Sequence, residues 1–120
     1  MTLGIVQPEE MDQVRDLWNY SFEKYEDPFF QWYFHYYCGQ KNTVVGSFDQ
    51  EGRLQNMLHL NPYLVRLRGK LWEMPYIVGV ATAPEARGQH LFRPLLRSAC
   101  QLLQQEELPF VFLMPIQAGI

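Results

Sequence analysis

Cysteine is scarce in this chain, with only Cys38 and Cys100 among 120 residues. Two thiols cannot make a disulfide framework and fall short of a zinc ligand set. Free thiols in a reducing compartment are expected, and with them a cytoplasmic location. Neither cysteine has a clear activating neighbour, so neither is read as a nucleophile. Histidine is equally thin. His35, His59 and His90 lie far apart without ligand spacing, so no metal site is expected. No apolar run approaches the ~20 residues of a membrane span. The opening Met-Thr-Leu-Gly-Ile-Val lacks the basic segment that precedes the apolar run of a secretory signal. A surplus of positive charge is missing too. Ten Lys and Arg stand against 13 Asp and Glu, for a net charge of -3, which argues against the basic face of non-specific nucleic-acid binding.

What is abundant is apolar and aromatic. Apolar residues make up 48% of the chain and aromatics 15%, with 19% charged. That composition rules out disorder and suits one domain with a core of its own. There is no internal repeat, low-complexity tract or linker. Helix-like and strand-like segments alternate at short spacing, as in an α/β or α+β domain.

Leu3 to Val6 reads as a strand. Pro8-Glu9-Glu10 then suits a helix N-terminus, where free N–H groups favour negative charge. Met11, Val14, Trp18, Phe22 and Tyr25 recur at intervals of three and four, one face of a helix. Asp27-Pro28 repeats the start signal, with Asp as N-cap and Pro at the first helical position. Behind it stand seven aromatics in residues 29–37, ended by Gly39. Thr43 to Phe48 reads as a strand, closed by the turn Asp49-Gln50-Glu51-Gly52. In the strand-rich stretch that follows, Leu58 and Leu60 alternate on one face. After Asn61-Pro62 the apolar phase moves to Tyr63, Val65 and Leu67, which predicts a bulge or kink at the proline. Arg68-Gly69-Lys70 is a hairpin turn, and Leu71 to Thr82 the return strand. A helix is expected from about His90 to Glu106, with Pro94 tolerated only in its first turn. Phe110 to Met114 reads as a strand buried on both faces. The expected order is β-α-α-β-β-β-α-β, the last helix crossing between parallel strands.

The stretch that carries chemistry runs from Gly79 to Leu96. A strand ends, a short loop with Arg87 and Gly88 follows, and a helix begins. Successive backbone N–H groups and a helix dipole then point at one spot, a cradle for an anion such as a pyrophosphate. The alternative for Arg87 is a solvated loop residue.

Hairpin, Val80-Ala81-Thr82-x-Pro84-Glu85-x-Arg87-Gly88, Leu-rich helix and Pro-Phe-Val-Phe-Leu-Met strand together resemble the GNAT superfamily of N-acetyltransferases. The opening Val6-x-Pro8-Glu9-Glu10 and Leu113-Met114-Pro115 bring the resemblance closest to the branch of the enhanced intracellular survival protein. The fold class so implied is α/β: a GNAT-like, mixed but mostly antiparallel sheet flanked by helices and truncated after the fifth strand. Residues 1–120 would form a single, partial domain. The activity implied is transfer of an acetyl group from acetyl-coenzyme A to a primary amine of a small molecule or peptide. The resemblance assigns the pantetheine arm to Val80, Ala81 and Thr82, and the pyrophosphate to the loop Arg87, Gly88, Gln89, His90, Leu91 and Phe92. The superfamily signature is Arg/Gln-x-x-Gly-x-Gly/Ala, so His90 and Phe92 stand where small residues are usual. His90 would crowd the phosphates, hydrogen-bond to one of them, or cap the helix. Relatives carry a proton-donating tyrosine beyond the position where this sequence stops, and in the survival-protein branch the base is the carboxylate at the end of a much longer chain. The chain is therefore expected to be the N-terminal part of a longer acetyltransferase, or else a non-catalytic module that binds coenzyme A weakly or only mediates assembly.

Three further expectations complete the reading. Phe30, Tyr33, Phe34 and Tyr37 share a helical face and belong to the core. Phe29, Trp32 and Tyr36 remain for an acceptor or an interface. Glu73 is either a base acting through water or a solvated strand carboxylate. An apolar edge at Phe110–Met114 invites pairing with another chain, so a homo-oligomer is expected.

Overall fold

The computed structural model describes residues 2–106 and 112–113 of the chain. Its sheet has five strands in the order β1 (Thr2–Ile5), β2 (Thr43–Phe48), β3 (Leu54–Leu67), β4 (Lys70–Thr82) and β5 (Phe112–Leu113). Neighbours are antiparallel except β4 and β5, which are parallel. The connection between those two is the helix α3 (Phe92–Gln105), as parallel neighbours require. Helices α1 (Met11–Ser21) and α2 (Pro28–Trp32) precede β2. Of the strand expected at Phe110–Met114, only Phe112–Leu113 is among the described residues. The oligomer expected from that edge therefore rests largely outside them.

The sheet is covered on both faces, which explains why β2 is buried along nearly its whole length instead of alternating. Val44 and Met57 pack with Val14, Trp18, Phe30 and Phe34 under α1 and α2. Val45, Leu58, Leu60, Ile77 and Val80 pack with Leu95, Ala99 and Leu103 of α3.

Three elements depart from the sequence reading. The helix expected through Tyr25 stops at Ser21, with Phe22 leaving helical geometry. The Asn19 side chain accepts the Tyr25 N–H at 2.9 Å, a local side-chain partner that competes with the next helical turn. The aromatic segment begins as expected, Asp27 accepting the N–H of Phe29 at 2.8 Å. It then widens into a π-turn over Tyr33–Tyr37, closed by Cys38 N–H to the Tyr33 carbonyl at 2.7 Å, before Gly39 turns the chain at φ +81°. Finally, there is no bulge at Pro62. The ladder runs without a shift from His59↔Val78 to Leu67↔Lys70, with Pro62 opposite Pro75. The apolar phase changes because Leu58 and Leu60 face α3, whereas Tyr63, Val65 and Leu67 lie on the other face of a ribbon that has left the sheet. β2 stops pairing at Leu60, and prolines at 62 and 75 have no N–H to offer a further strand. The turn at the ribbon's tip, Arg68-Gly69, has positive φ at both residues, the geometry of a two-residue hairpin loop.

Candidate active site

The bulge in this sheet sits on β4. Between Met57↔Ala81 and His59↔Val78, β4 carries one residue more than β3, and Gly79 there has φ +62°. Only glycine fits on two counts. The left-handed backbone disfavours a side chain, and a Cβ would stand 2.6 Å from the Trp18 ring and 2.8 Å from the His59 ring. A bulge bends its strand and increases the local twist. Among the described residues β5 pairs with β4 only at Tyr76↔Phe112 and Ile77↔Leu113, before the bulge. Past it, the outer edge of Val78–Thr82 has no described strand beside it.

At the end of β4, Pro84–Ala86 form one 3₁₀ turn and the loop then runs through two left-handed residues, Gly88 (φ +85°) and His90 (φ +57°). His90 adopts the conformation a glycine would adopt there, so the loop keeps its path at the cost of backbone strain. Leu91 stands at the helix N-cap with no side-chain cap. Among the described residues no protein acceptor takes the N–H groups of Gly88 to Arg93, and Pro94 has none to give. A left-handed residue followed by a right-handed one at an uncapped helix start turns successive N–H groups toward one concavity, an arrangement suited to anions.

That concavity is a cavity of about 430 Å³ lined by Thr82, Ala86, Arg87, Gly88, His90, Leu91 and Phe92. Six of the nine residues expected at the cofactor meet here. Ala86 was not expected, and Val80, Ala81 and Gln89 lie outside the lining. Val80 instead packs in the α3-side core. Arg87 makes no ion pair among the described residues, and its guanidinium lies 5.9 Å over the ring of Tyr20 on α1.

The other candidates are separate from this loop. Glu73 is exposed on the ribbon and lines a small crevice of about 80 Å³ with Pro62, Pro75 and Glu106. It lies nine residues along β4 from Thr82, about 30 Å of strand. Phe29, Trp32 and Tyr36 are exposed, as the helical phase predicts. Trp32 and Tyr36 line an open cavity of about 620 Å³ with Arg15, Tyr25 and His35, while Phe29 stacks on Tyr33 outside it. Phe30, Tyr33 and Phe34 are buried. No cluster of three metal-ligating side chains occurs among the described residues. No described helix is long and apolar enough to cross a membrane.

One cluster gave no sequence signal. His59, fully buried, meets Tyr33 Oη through Nδ1 at 2.7 Å. Asn42 donates to that same phenol oxygen at 3.0 Å and to Asn61 Oδ1 at 2.8 Å. The phenol oxygen also lies 3.5 Å from Asn61 Oδ1, and His59 Nε2, on the far side of the ring, has no partner among the described residues. Burial pushes the His59 pKa down to about 3, raises the Tyr33 phenol well above its ordinary range, and pushes the Cys38 thiol up to about 11. Cys38, 3.8 Å from Nδ1, is thus an inert thiol at neutral pH. The residues of this cluster come from the π-turn after α2, the loop beyond it and β3, so no spacing in the sequence announces them.

A bulged β4 leading through an N–H-rich loop into a crossover helix is the arrangement of an acyltransferase-type fold. The chain belongs to the GNAT acetyltransferases, whose acetyltransferase (GNAT) domain profile matches residues 4–120. No curated protein matches it by sequence. Among solved structures it is similar to a conserved protein of unknown function from Enterococcus faecalis V583, described as a probable N-acyltransferase. That match has a TM-score of 0.84 and 22% identity over 97% of this chain, and the chain spans 29% of the Enterococcus protein. A Trypanosoma brucei acetyltransferase matches with a TM-score of 0.73 and 16% identity, over 97% of this chain and 83% of that one. An aminoglycoside 6′-N-acetyltransferase from Acinetobacter haemolyticus matches with a TM-score of 0.74 and 12% identity, over 99% and 82%.

Proposed function

We propose that this chain is the coenzyme A-binding part of an N-acetyltransferase that acts on a primary amine of a small molecule or peptide. The observation that carries the reading is the corner between β4 and α3, where uncapped N–H groups from Gly88 to Arg93 border a cavity beside Arg87, which has no ion pair among the described residues. Those are the donors a diphosphate needs. Thr82, Arg87, Gly88, His90, Leu91 and Phe92 would hold the nucleotide end, and the outer edge of Val80–Thr82 would pair with an amide-bearing arm. Acetyl-coenzyme A, when bound, supplies an activated thioester.

The protein's contribution is positioning and polarisation. The bulge at Gly79 turns the end of β4 outward and exposes its backbone donors and acceptors. Phe92 and Leu91 close the apolar side of the cavity, and Arg87 neutralises charge at its mouth. The aromatic surface of α2 around Trp32 and Tyr36 would receive the acceptor. A base must take the amine proton and an acid must return one to the thiolate. Glu73 is too far along β4 to serve a thioester held at this corner. We place both groups outside the described residues, in a longer protein of the survival-protein branch acting in the cytoplasm.

A second reading has its own observation. The titratable side chains lining the cavity are Arg87 and His90, and the His90 side chain stands where the superfamily signature has glycine. A module that binds coenzyme A weakly without turnover fits that lining.

Thermal unfolding with and without coenzyme A tests both. Ligand at 100 times its dissociation constant adds about 2.7 kcal/mol to stability. A rise in Tm with coenzyme A and none with adenosine supports the corner as a diphosphate site. No rise at millimolar coenzyme A overturns it.

A further inference from the structure

Nine described residues line the open cavity of about 620 Å³ beside α2, and none of them is Asp or Glu. Its charged or ionisable nitrogen groups are Arg15 on α1 and His35 on the π-turn. Around them the wall is aromatic. Trp32 is 49% and Tyr36 59% exposed, while Phe34 is buried and the Arg15 guanidinium lies 6.0 Å over its ring. The volume falls in the range of small-molecule sites.

Arg15 is only partly committed to the protein. Its Nη1 donates to Asp12 Oδ1 at 2.7 Å, while Nε and Nη2 have no partner among the described residues. The Asp12 side chain is 89% exposed and does not line the cavity. An ion pair so open to water contributes little, so the guanidinium is free to share itself with a second carboxylate. Asp16, the other acid nearby, takes the Tyr25 hydroxyl. The His35 ring meets Tyr36 edge-on at 4.5 Å and has no hydrogen bond among the described residues.

This wall selects among amines. A polyamine or an aminoglycoside brings several ammonium groups, and the lining offers them a guanidinium and no counter-ion. A carboxylate instead gains charge-assisted hydrogen bonds from the planar guanidinium fork. An aromatic or aliphatic body beside that carboxylate leaves water against Trp32 and Tyr36. With no acid in the lining, nothing there holds the amine as ammonium, and only the neutral amine has a lone pair for acyl transfer. We propose that the acceptor is an amine that also carries a carboxylate, an amino acid or short peptide with an aromatic or apolar side chain. Arg15 holds its carboxylate, and Trp32 and Tyr36 hold its side chain. The proposal rests on the reading of this surface as the acceptor site, whereas coenzyme A binding at the β4–α3 corner stands without it.

Calorimetry with L-phenylalanine and phenethylamine provides the test, since the two share a ring and an amine and differ by a carboxylate. The wild type should bind phenylalanine about tenfold or more tightly than phenethylamine, as one charge-assisted contact implies. Arg15→Ala should erase that preference, and Arg15→Lys should keep part of it. Trp32→Ser should weaken both probes alike. A preference for phenethylamine or spermidine overturns the proposal. So does a preference that survives Arg15→Ala, because a merely structural role for Arg15 would change both affinities together. Coenzyme A titrated into the same protein keeps the two readings apart. Coenzyme A binding without a preference for phenylalanine overturns the acceptor's chemistry alone. Phenylalanine bound selectively by a protein that takes no coenzyme A overturns the transferase reading, and the acceptor role with it.

Discussion

Gly79 and Trp18 touch across the join between β4 and α1, with room for a hydrogen but none for a methyl. A Cβ on residue 79 would come within 2.6 Å of the indole ring. Through this contact the bulge that exposes the end of β4 is seated against the helix above it. Gly79→Ala should cost about 3 kcal/mol, from a left-handed backbone and an overpacked core together. Urea unfolding reads the loss directly. A change below about 1 kcal/mol would mean that the bulge is not held as described.

His59 predicts a pH dependence with a definite sign. Its folded pKa is lowered to about 3 by burial, while an unfolded histidine titrates near ~6.5. Between those values the unfolded chain binds the extra proton, so stability rises with pH there. The contribution is complete above pH ~6.5 and falls by about 1.4 kcal/mol per unit as pH drops below it. From pH 6.5 to 5 the loss should be about 2 kcal/mol in denaturant titrations, and His59→Gln should flatten that slope whatever its effect on absolute stability. A wild type equally stable at pH 7 and 5 would contradict a buried neutral imidazole.

Removing the Tyr33 hydroxyl separates its polar role from its packing. Tyr33→Phe leaves the ring in place but strands Nδ1 of His59 and takes from the Asn42 amide one of its two acceptors, leaving Asn61 Oδ1. The expected cost is about 1–3 kcal/mol, measured by thermal or denaturant unfolding.

Much of the fold was legible because it rests on short-range signals. Thr43–Phe48 is a strand with the expected ends, Arg68-Gly69 is the expected turn, and Asp27-Pro28 starts a helix as its chemistry dictates. The misreadings share a cause. The Pro62 phase change and the run from Met11 to Tyr25 look local, but both are decided by what lies alongside. β2 ends opposite Leu60, and Asn19 captures the Tyr25 N–H. At the candidate site the loop Arg87–Phe92 was visible as a strand-to-helix turn between Pro84 and Pro94. The His59–Tyr33–Asn42–Asn61 cluster was not, because only the folding of the π-turn and the loop after it over β3 brings those residues together.

Arg87 is the side chain whose loss should register in binding more than in folding. Exposed and without an ion pair among the described residues, it contributes little to stability. Arg87→Ala should leave Tm within about 2 °C, a change of under 0.5 kcal/mol. It should weaken coenzyme A about tenfold or more, as loss of a charge-assisted hydrogen bond does. Calorimetry at two salt concentrations separates that contact from general screening. Equal affinity for wild type and variant would remove Arg87 from the anion site.

His90→Gly isolates backbone from side chain. Glycine relieves the left-handed strain and should stabilise the fold by about 1 kcal/mol. Tighter coenzyme A binding by the variant would identify the imidazole as an obstruction in the cavity. Weaker binding would make it a ligand contact.

The approach of Arg87 to Tyr20, 5.9 Å from guanidinium to ring, makes the loop and the first helix neighbours in more than position. A ligand that draws the guanidinium toward its phosphates takes a cation away from the face of an aromatic ring. Occupancy of the loop is thereby felt at α1, where a tyrosine chromophore stands beside it.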